Sequence, residues 1–316
     1  GILGVNLLHA CFNSKKPKEI INKLYDNLSR NNLDIDMVKF TGPNFNKVDN
    51  RLLSLTLVKE NMTDSVTFTP DGVSHQVSDI VHKKNILVLR GSFRPVTKVN
   101  IDMLENGLEK FSSDKKVKKE DIQVLFEITL SNLKSDGDVN EQDFLDRVDI
   151  LCSLGYTVMI SNFRKFYKVI EYLSQFTTRR MGLIIGVDNL MDMFEEKYYR
   201  NLNGGILEAF GIIFTRDIKI YLYPYKPNSE SEILNSKNIP IHPRVKALYE
   251  YLYRNKRIED LNYNKEVLGI FSREVFKKIK NCEEGTWEHM VPEGVDEIIK
   301  EKCLFGCSCE FPSKKN

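Results

Sequence analysis

The chain has only one tryptophan and five histidines among its 316 residues. The histidines (His9, His75, His82, His242 and His289) are scattered, so neither an HxxxH metal helix nor a Ser-His-Asp order can be drawn. An excess of one charge is missing too. Lys and Arg number 46 against 44 Asp and Glu, a net of +2. A protein so balanced has no global field to draw it to nucleic acid or an anionic membrane surface. No apolar run reaches the roughly 18 to 20 residues of a membrane helix. Low-complexity tracts and internal repeats are absent. Gly1 leads straight into ILGVNLLHA without a basic leader or a cleavage site. We therefore expect a truncated or processed start, with further protein upstream.

Cysteine is present but unpaired in pattern. Cys11 and Cys152 lie in apolar settings and read as small core residues. Cys282, Cys303, Cys307 and Cys309 follow near the end, without the CxxC pairs of a zinc site and with His289 as the only nearby histidine. They read as surface thiols of a reduced, cytoplasmic compartment. His9, within an apolar run, reads as a core histidine. The lysines of KKVKKE (115–120) are flanked by acids and read as a solvated loop.

What is present is an alternation of strand-like and helix-like segments. Short apolar runs fall at 4–10, 35–40, 65–69, 85–91, 123–130, 156–162, 182–187 and 218–224. Most are continuous rather than alternating, as expected of parallel strands covered on both faces. Helical spacing falls at 16–29 and 99–112, and Asn140 N-caps a helix that Gly155 ends. The pattern means βαβ units and a parallel sheet with helices on both faces, either open and Rossmann-like or closed as a barrel. A smaller α/β unit over residues 1–84, possessing no recognisable motif, would precede a nucleotide-binding domain over 85–310. The segment 226–243 is long for a loop of a compact domain, which points to function or mobility.

Strand NILVLRG runs into SFRPVT and then into a helix from Val99. A strand, a small-residue turn and a helix N-terminus together make an anion site: glycine allows close approach, unpaired amides face the ligand, and the helix dipole adds positive potential. GSFRPVT (Gly91 to Thr97) resembles the G-[ST]-F-x-P-x-[HT]-x-x-H signature of nicotinate and nicotinamide mononucleotide adenylyltransferases, of the nucleotidyltransferase superfamily. GVDNLMDMF (Gly186 to Phe194) resembles that family's G-x-D-x-L stretch. FSREVFK (Phe271 to Lys277) resembles its I-S-x-T-x-x-R motif. VPEGVDEIIKEKCLF (291–305) resembles its closing segment. The three motifs and the closing segment occur in the family's order and span roughly two-thirds of the chain.

The resemblance implies adenylyl transfer from ATP, with Mg2+, to a pyridine mononucleotide, a small-molecule nucleotide substrate. Gly91, Ser92 and Phe93 would lie along the ATP phosphates with Thr97, Asn100, Gly186, Ser272 and Arg273 nearby, and Asp188 would contact a ribose or nicotinamide-side hydroxyl. The chain departs from the family where a histidine falls on Asn100, a threonine on Glu274 and the closing arginine on Lys277, which keeps the charge but loses the bidentate fork. Arg94, Lys98 and Lys277 are the basic side chains left to offset phosphate charge. Plainer roles exist beside these: Asp188 and Ser272 as helix N-caps, the lysines and arginines as solvated charges. Two functions fit the residues, an adenylyltransferase with a rearranged clamp and a catalytically silent nucleotide-binding or scaffold protein. An unrelated α/β enzyme with accidental matches is the third.

Overall fold

The computed structural model describes residues 1–135, 138–215, 217–227 and 230–307. Cys309 and the last three residues of the expected 85–310 domain lie outside them. Eight strands form the main sheet: β1 (Ser65–Phe68), β2 (Ser74–His75), β3 (Asn85–Arg90), β4 (Ile122–Thr129), β5 (Val158–Ser161), β6 (Met181–Gly186), β7 (Ile218–Tyr223) and β8 (Ile258–Asp260). Their order is β8-β7-β6-β3-β4-β5-β1-β2. The pairs β3–β6, β6–β7 and β7–β8 run parallel, while β5–β1 and β1–β2 run antiparallel. The sheet is therefore open and mixed, and the closed barrel is excluded. No helix among the described residues is long and apolar enough to cross a membrane.

The chain divides into two compact units, Gly1–Ile80 with Glu127–Arg164, and Val81–Phe126 with the chain from Lys165 onward. This differs from the contiguous division expected at residue 84. Residues 158–161 pair antiparallel with β1, which ties that later stretch to the N-terminal segment.

In the first unit, two expected strands are corrected. Residues 4–10 belong to the helix Ile2–Asn13, which buries Ala10 alone and leaves Val5, Leu8 and Phe12 exposed. Both Cys11 and His9 are exposed on it rather than in the core. Residues 35–40 form no strand; Ile35, Val38 and Phe40 pack instead on a cluster of Ile21, Leu53, Leu57 and Met62. The expected helix at 16–29 is confined to Pro17–Asn22. Asn140 does cap the helix Glu141–Ser153, accepting from the Asp143 amide at 2.9 Å, and Cys152 is buried there.

In the second unit, β3 is buried along its whole length and β6 over five of its six residues, which is why Ile86 to Leu89 and Leu183 to Ile185 are continuously apolar. Helix Lys98–Ser112 lies so close to β6 that a Cβ on Gly107 would stand 2.3 Å from Ile184 Cδ1. The long segment after β7 is pinned along its described part. Tyr225 and Leu234 exchange backbone hydrogen bonds of 3.0 and 2.8 Å, and Ser236 donates its amide and hydroxyl to Asp260 at 2.9 and 2.5 Å. Asn228 and Ser229 lie outside the described residues. Cys303 is disulfide-bonded, contrary to the expected set of thiols.

Candidate functional site

The strand order locates the site before any side chain is considered. From β3 the chain moves through helix Lys98–Ser112 to β4 on one side, while β6, β7 and β8 extend the sheet on the other. The gap between β3 and β6 is thus a topological switch point, where loops diverge beyond the strands' C-terminal ends and leave a crevice. Leu89 pairs with Ile184 and Gly186 with Tyr223. Continued by two residues, the first register brings Gly91 level with Gly186. Two of the three motif segments therefore end side by side at this edge.

The third is joined to them by hydrogen bonds. Ser272 opens the helix Ser272–Lys280. Its hydroxyl donates to the Pro95 carbonyl at 2.7 Å and accepts from the Arg94 amide at 3.2 Å. Ser272 is not the N-cap of its helix; Phe271 holds that position. Its hydroxyl is spent on the turn that follows Gly91. The Arg94 guanidinium lies 3.9 Å over the Phe276 ring, one helical turn from Ser272, a cation–π contact that fixes a side chain otherwise free to wander. Phe276 is the residue that sequence reasoning missed, although it sits inside the quoted FSREVFK.

Gly91 and Phe93 make one unit. Phe93 has φ of +47°, uncommon outside glycine, and its ring is buried at 2% exposure against Phe126, with centroids 5.0 Å apart. A Cβ on Gly91 would meet that ring at 2.8 Å. The Phe93 side chain is therefore a plug beneath the loop; only its backbone can face a phosphate. Ser92 is exposed at the turn.

Thr97 is fully buried and N-caps helix Lys98–Ser112. Asn100 closes the cap, its Oδ1 accepting from the Thr97 amide at 2.9 Å and the Thr97 hydroxyl at 3.0 Å. The position where the family has a histidine therefore serves the helix end. Lys98, Arg273 and Lys277 are exposed, as is Glu274. Asp188 is exposed in the first turn of the helix Val187–Met193, whose N-cap is Gly186. Further along the edge, Asp102 accepts from the Tyr223 hydroxyl and from the Asn264 amide at 3.0 Å. Burial first, and then this carboxylate, pushes the Tyr223 phenol well above its usual range.

Chemically, the edge offers two helix N-termini, each worth about half a positive charge, and four cations (Arg94, Lys98, Arg273, Lys277) against the carboxylates of Glu274, Asp188 and Asp102. Such a surface suits a polyanion. No group of three His, Cys, Asp or Glu among the described residues is placed to hold a metal.

No family model matches the chain, and no curated protein matches it by sequence. One solved structure similar to it is a candidate nicotinate-nucleotide adenylyltransferase from Vibrio parahaemolyticus, 12% identical, covering 72% of this chain and 97% of that one with a TM-score of 0.31. So low a score carries no argument, and the reading rests on the chain's own geometry.

Proposed function

We propose that this chain binds a nucleotide by its phosphates at the C-terminal edge of β3 and β6, and transfers the adenylyl group of ATP to a nicotinate or nicotinamide mononucleotide. The observation that carries the reading is the Ser272 bridge to Arg94 and Pro95, which unites two quoted motifs 177 residues apart at one helix N-terminus. The mononucleotide phosphate is already a nucleophile. One of its oxygens attacks the α-phosphorus of ATP, a new P–O bond forms, the bond from the α-phosphorus to the α,β-bridging oxygen breaks, and pyrophosphate leaves with that electron pair. Protein groups then have only to position the reactants and offset charge. Backbone amides of Gly91 to Phe93 would lie along the phosphates, Arg94, Lys98, Arg273 and Lys277 would balance them, and Asp188 would meet a ribose or nicotinamide-side hydroxyl. Magnesium supplies charge neutralisation when it arrives with ATP.

A second reading, a catalytically silent nucleotide-binding protein, is favoured by one observation: Asn100 is committed to the helix cap and titrates nowhere. A charge-stabilising donor lost from such a site costs about a hundred- to a thousandfold in rate. The deciding experiment pairs a thermal-shift screen of ATP and the two mononucleotides, with magnesium, and an assay for released pyrophosphate. Stabilisation with turnover supports the transferase. Stabilisation without turnover selects the silent binder, and no stabilisation removes both.

A further inference from the structure

At the opposite, N-terminal ends of the same parallel strands lies a cavity of about 540 Å³, lined by Lys116, Arg179, Arg180, Phe214, Asp217 and Arg257 together with Thr178 and Thr215. Each charged residue stands just before a strand: Arg179 and Arg180 before β6, Asp217 before β7, Arg257 before β8, and Lys116 on the way into β4. Strands of six residues separate this edge from the phosphate loop by roughly 20 Å, at about 3.3 Å per residue.

The charges are lopsided. Asp217 takes Lys116 at 3.2 Å, Arg180 at 3.2 Å and Arg257 at 3.6 Å, so a single carboxylate faces three cations. Arg179 adds a fourth, exposed. Behind them Asp114 reaches Arg180 at 3.7 Å and Lys219 at 4.0 Å, and Glu259 is shared by Lys110 and Lys219 at 3.3 and 2.6 Å. Among the described residues of the cavity and its backing, six cations face three carboxylates.

Basic residues often gather near helix C-termini, whose carbonyls carry about half a negative charge each, and helices do end at this edge. The bonding says otherwise. Lys116 and Arg180 donate to Asp217, and the one main-chain acceptor among these contacts is the Asp217 carbonyl itself, 3.1 Å from Arg180. They turn toward one anionic point rather than toward the helix ends. That point is half-exposed, so Asp217 can yield its place. Lys116, with Arg180 and Arg257 behind it, holds the Asp217 carboxyl below its usual range. Phe214, with Arg257 5.9 Å over its ring, gives the cavity an apolar wall.

From the convergence of Lys116, Arg180 and Arg257 on Asp217, we infer that this cavity is a second anion site, which binds a small phosphorylated molecule carrying at least two negative charges. The ligand's phosphate takes the position of the Asp217 carboxylate, bridged by Lys116 and Arg257, with Arg179 at the mouth.

Calorimetric titration of the full chain with pyrophosphate at low salt tests this, using three variants with circular dichroism as the fold check. Lys116→Gln/Arg257→Gln should weaken one class of sites at least tenfold. Asp217→Asn, which removes the competing carboxylate, should tighten the same class several-fold. Lys98→Gln/Lys277→Gln should leave it intact. If the Lys116/Arg257 variant fails to fold, the Asp217→Asn result decides alone. Unchanged affinity in both Lys116/Arg257 and Asp217 variants would overturn the inference. So would loss of all binding in the Lys98/Lys277 variant, or an oligonucleotide that depends on Lys116 and Arg257 where pyrophosphate does not bind.

Discussion

The Ser272 hydroxyl donates to the Pro95 carbonyl at 2.7 Å and so holds the turn of the phosphate loop from a helix 177 residues downstream. The same oxygen accepts from the Arg94 amide, so removing it takes two hydrogen bonds from a part-buried place. Ser272→Ala should cost about 1–2 kcal/mol of stability, as expected for two such bonds. It should also lower the thermal stabilisation by ATP, because the loop is then free to leave its binding shape. Urea midpoints and thermal shifts, with and without ATP, measure the two effects separately.

Asn100 separates cap from charge. Asn100→Asp keeps an acceptor for the Thr97 amide and adds a negative charge beside a helix N-terminus, worth about 0.3–1 kcal/mol of stability. That charge repels phosphate, so ATP affinity should fall by about tenfold, equivalent to 1.4 kcal/mol. A variant more stable than the parent yet weaker for ATP is the expected outcome; unchanged ATP affinity would place the phosphates elsewhere.

Gly91→Ala brings a Cβ to 2.8 Å from the buried ring of Phe93. Overpacking of that kind costs about 1–3 kcal/mol. The urea midpoint should drop without a change in slope, and adding Phe93→Leu should restore part of the loss. Coupling between the two changes in a double-mutant cycle identifies the ring as the cause; strict additivity would refute it.

Glu288 is one carboxylate that contributes to the acid limb of stability. Burial alone would raise its pKa, but the Lys300 ammonium at 2.7 Å and the backbone amides of Gly285 and Trp287 outweigh that and bring it from 4.5 down to about 2. A carboxylate with a depressed folded pKa contributes stability above about 4.5 and loses it as pH falls from there toward 2. Glu288→Gln should therefore flatten stability over that window and lower it at neutral pH. Urea midpoints at pH 7, 5 and 3 show whether the two curves converge on acidification.

The sheet was legible where strands were long, apolar on both sides and tied to a helix, as in β3, β6 and β7. It was illegible where a short apolar run met other constraints. GVNLLHA carries no period that separates helix from strand, and it folds as a helix with its apolar face outward. Ile35, Met37, Val38 and Phe40 make a short apolar run that resembles a strand, yet Ile35, Val38 and Phe40 pack on the cluster of Ile21, Leu53, Leu57 and Met62, and the Phe40 amide donates to Asn50 Oδ1 at 2.8 Å. β2 and β8, of two and three residues, are too short to leave any pattern.

Within the candidate site, Ser272 bonds to Arg94 and Pro95, so two of the segments singled out by motif are in contact. Sequence could not say that Phe93 turns inward, because that depends on a left-handed backbone and a partner, Phe126, on another strand. Nor could it show that Arg94 rests on Phe276, a contact made only when two distant segments close together.

Because the Asn100 oxygen is taken by Thr97, what this residue can present to an anion is its amide, which carries no exchangeable charge near neutrality. A histidine in its place would switch charge between about pH 5 and 8. On the proposed function, the loop Gly91 to Thr97 has no such switch, and its hold on a nucleotide would be set by the permanent cations Arg94, Lys98, Arg273 and Lys277. Its affinity should track ionic strength far more than pH, the behaviour of a fixed-charge receptor rather than of a proton-gated one.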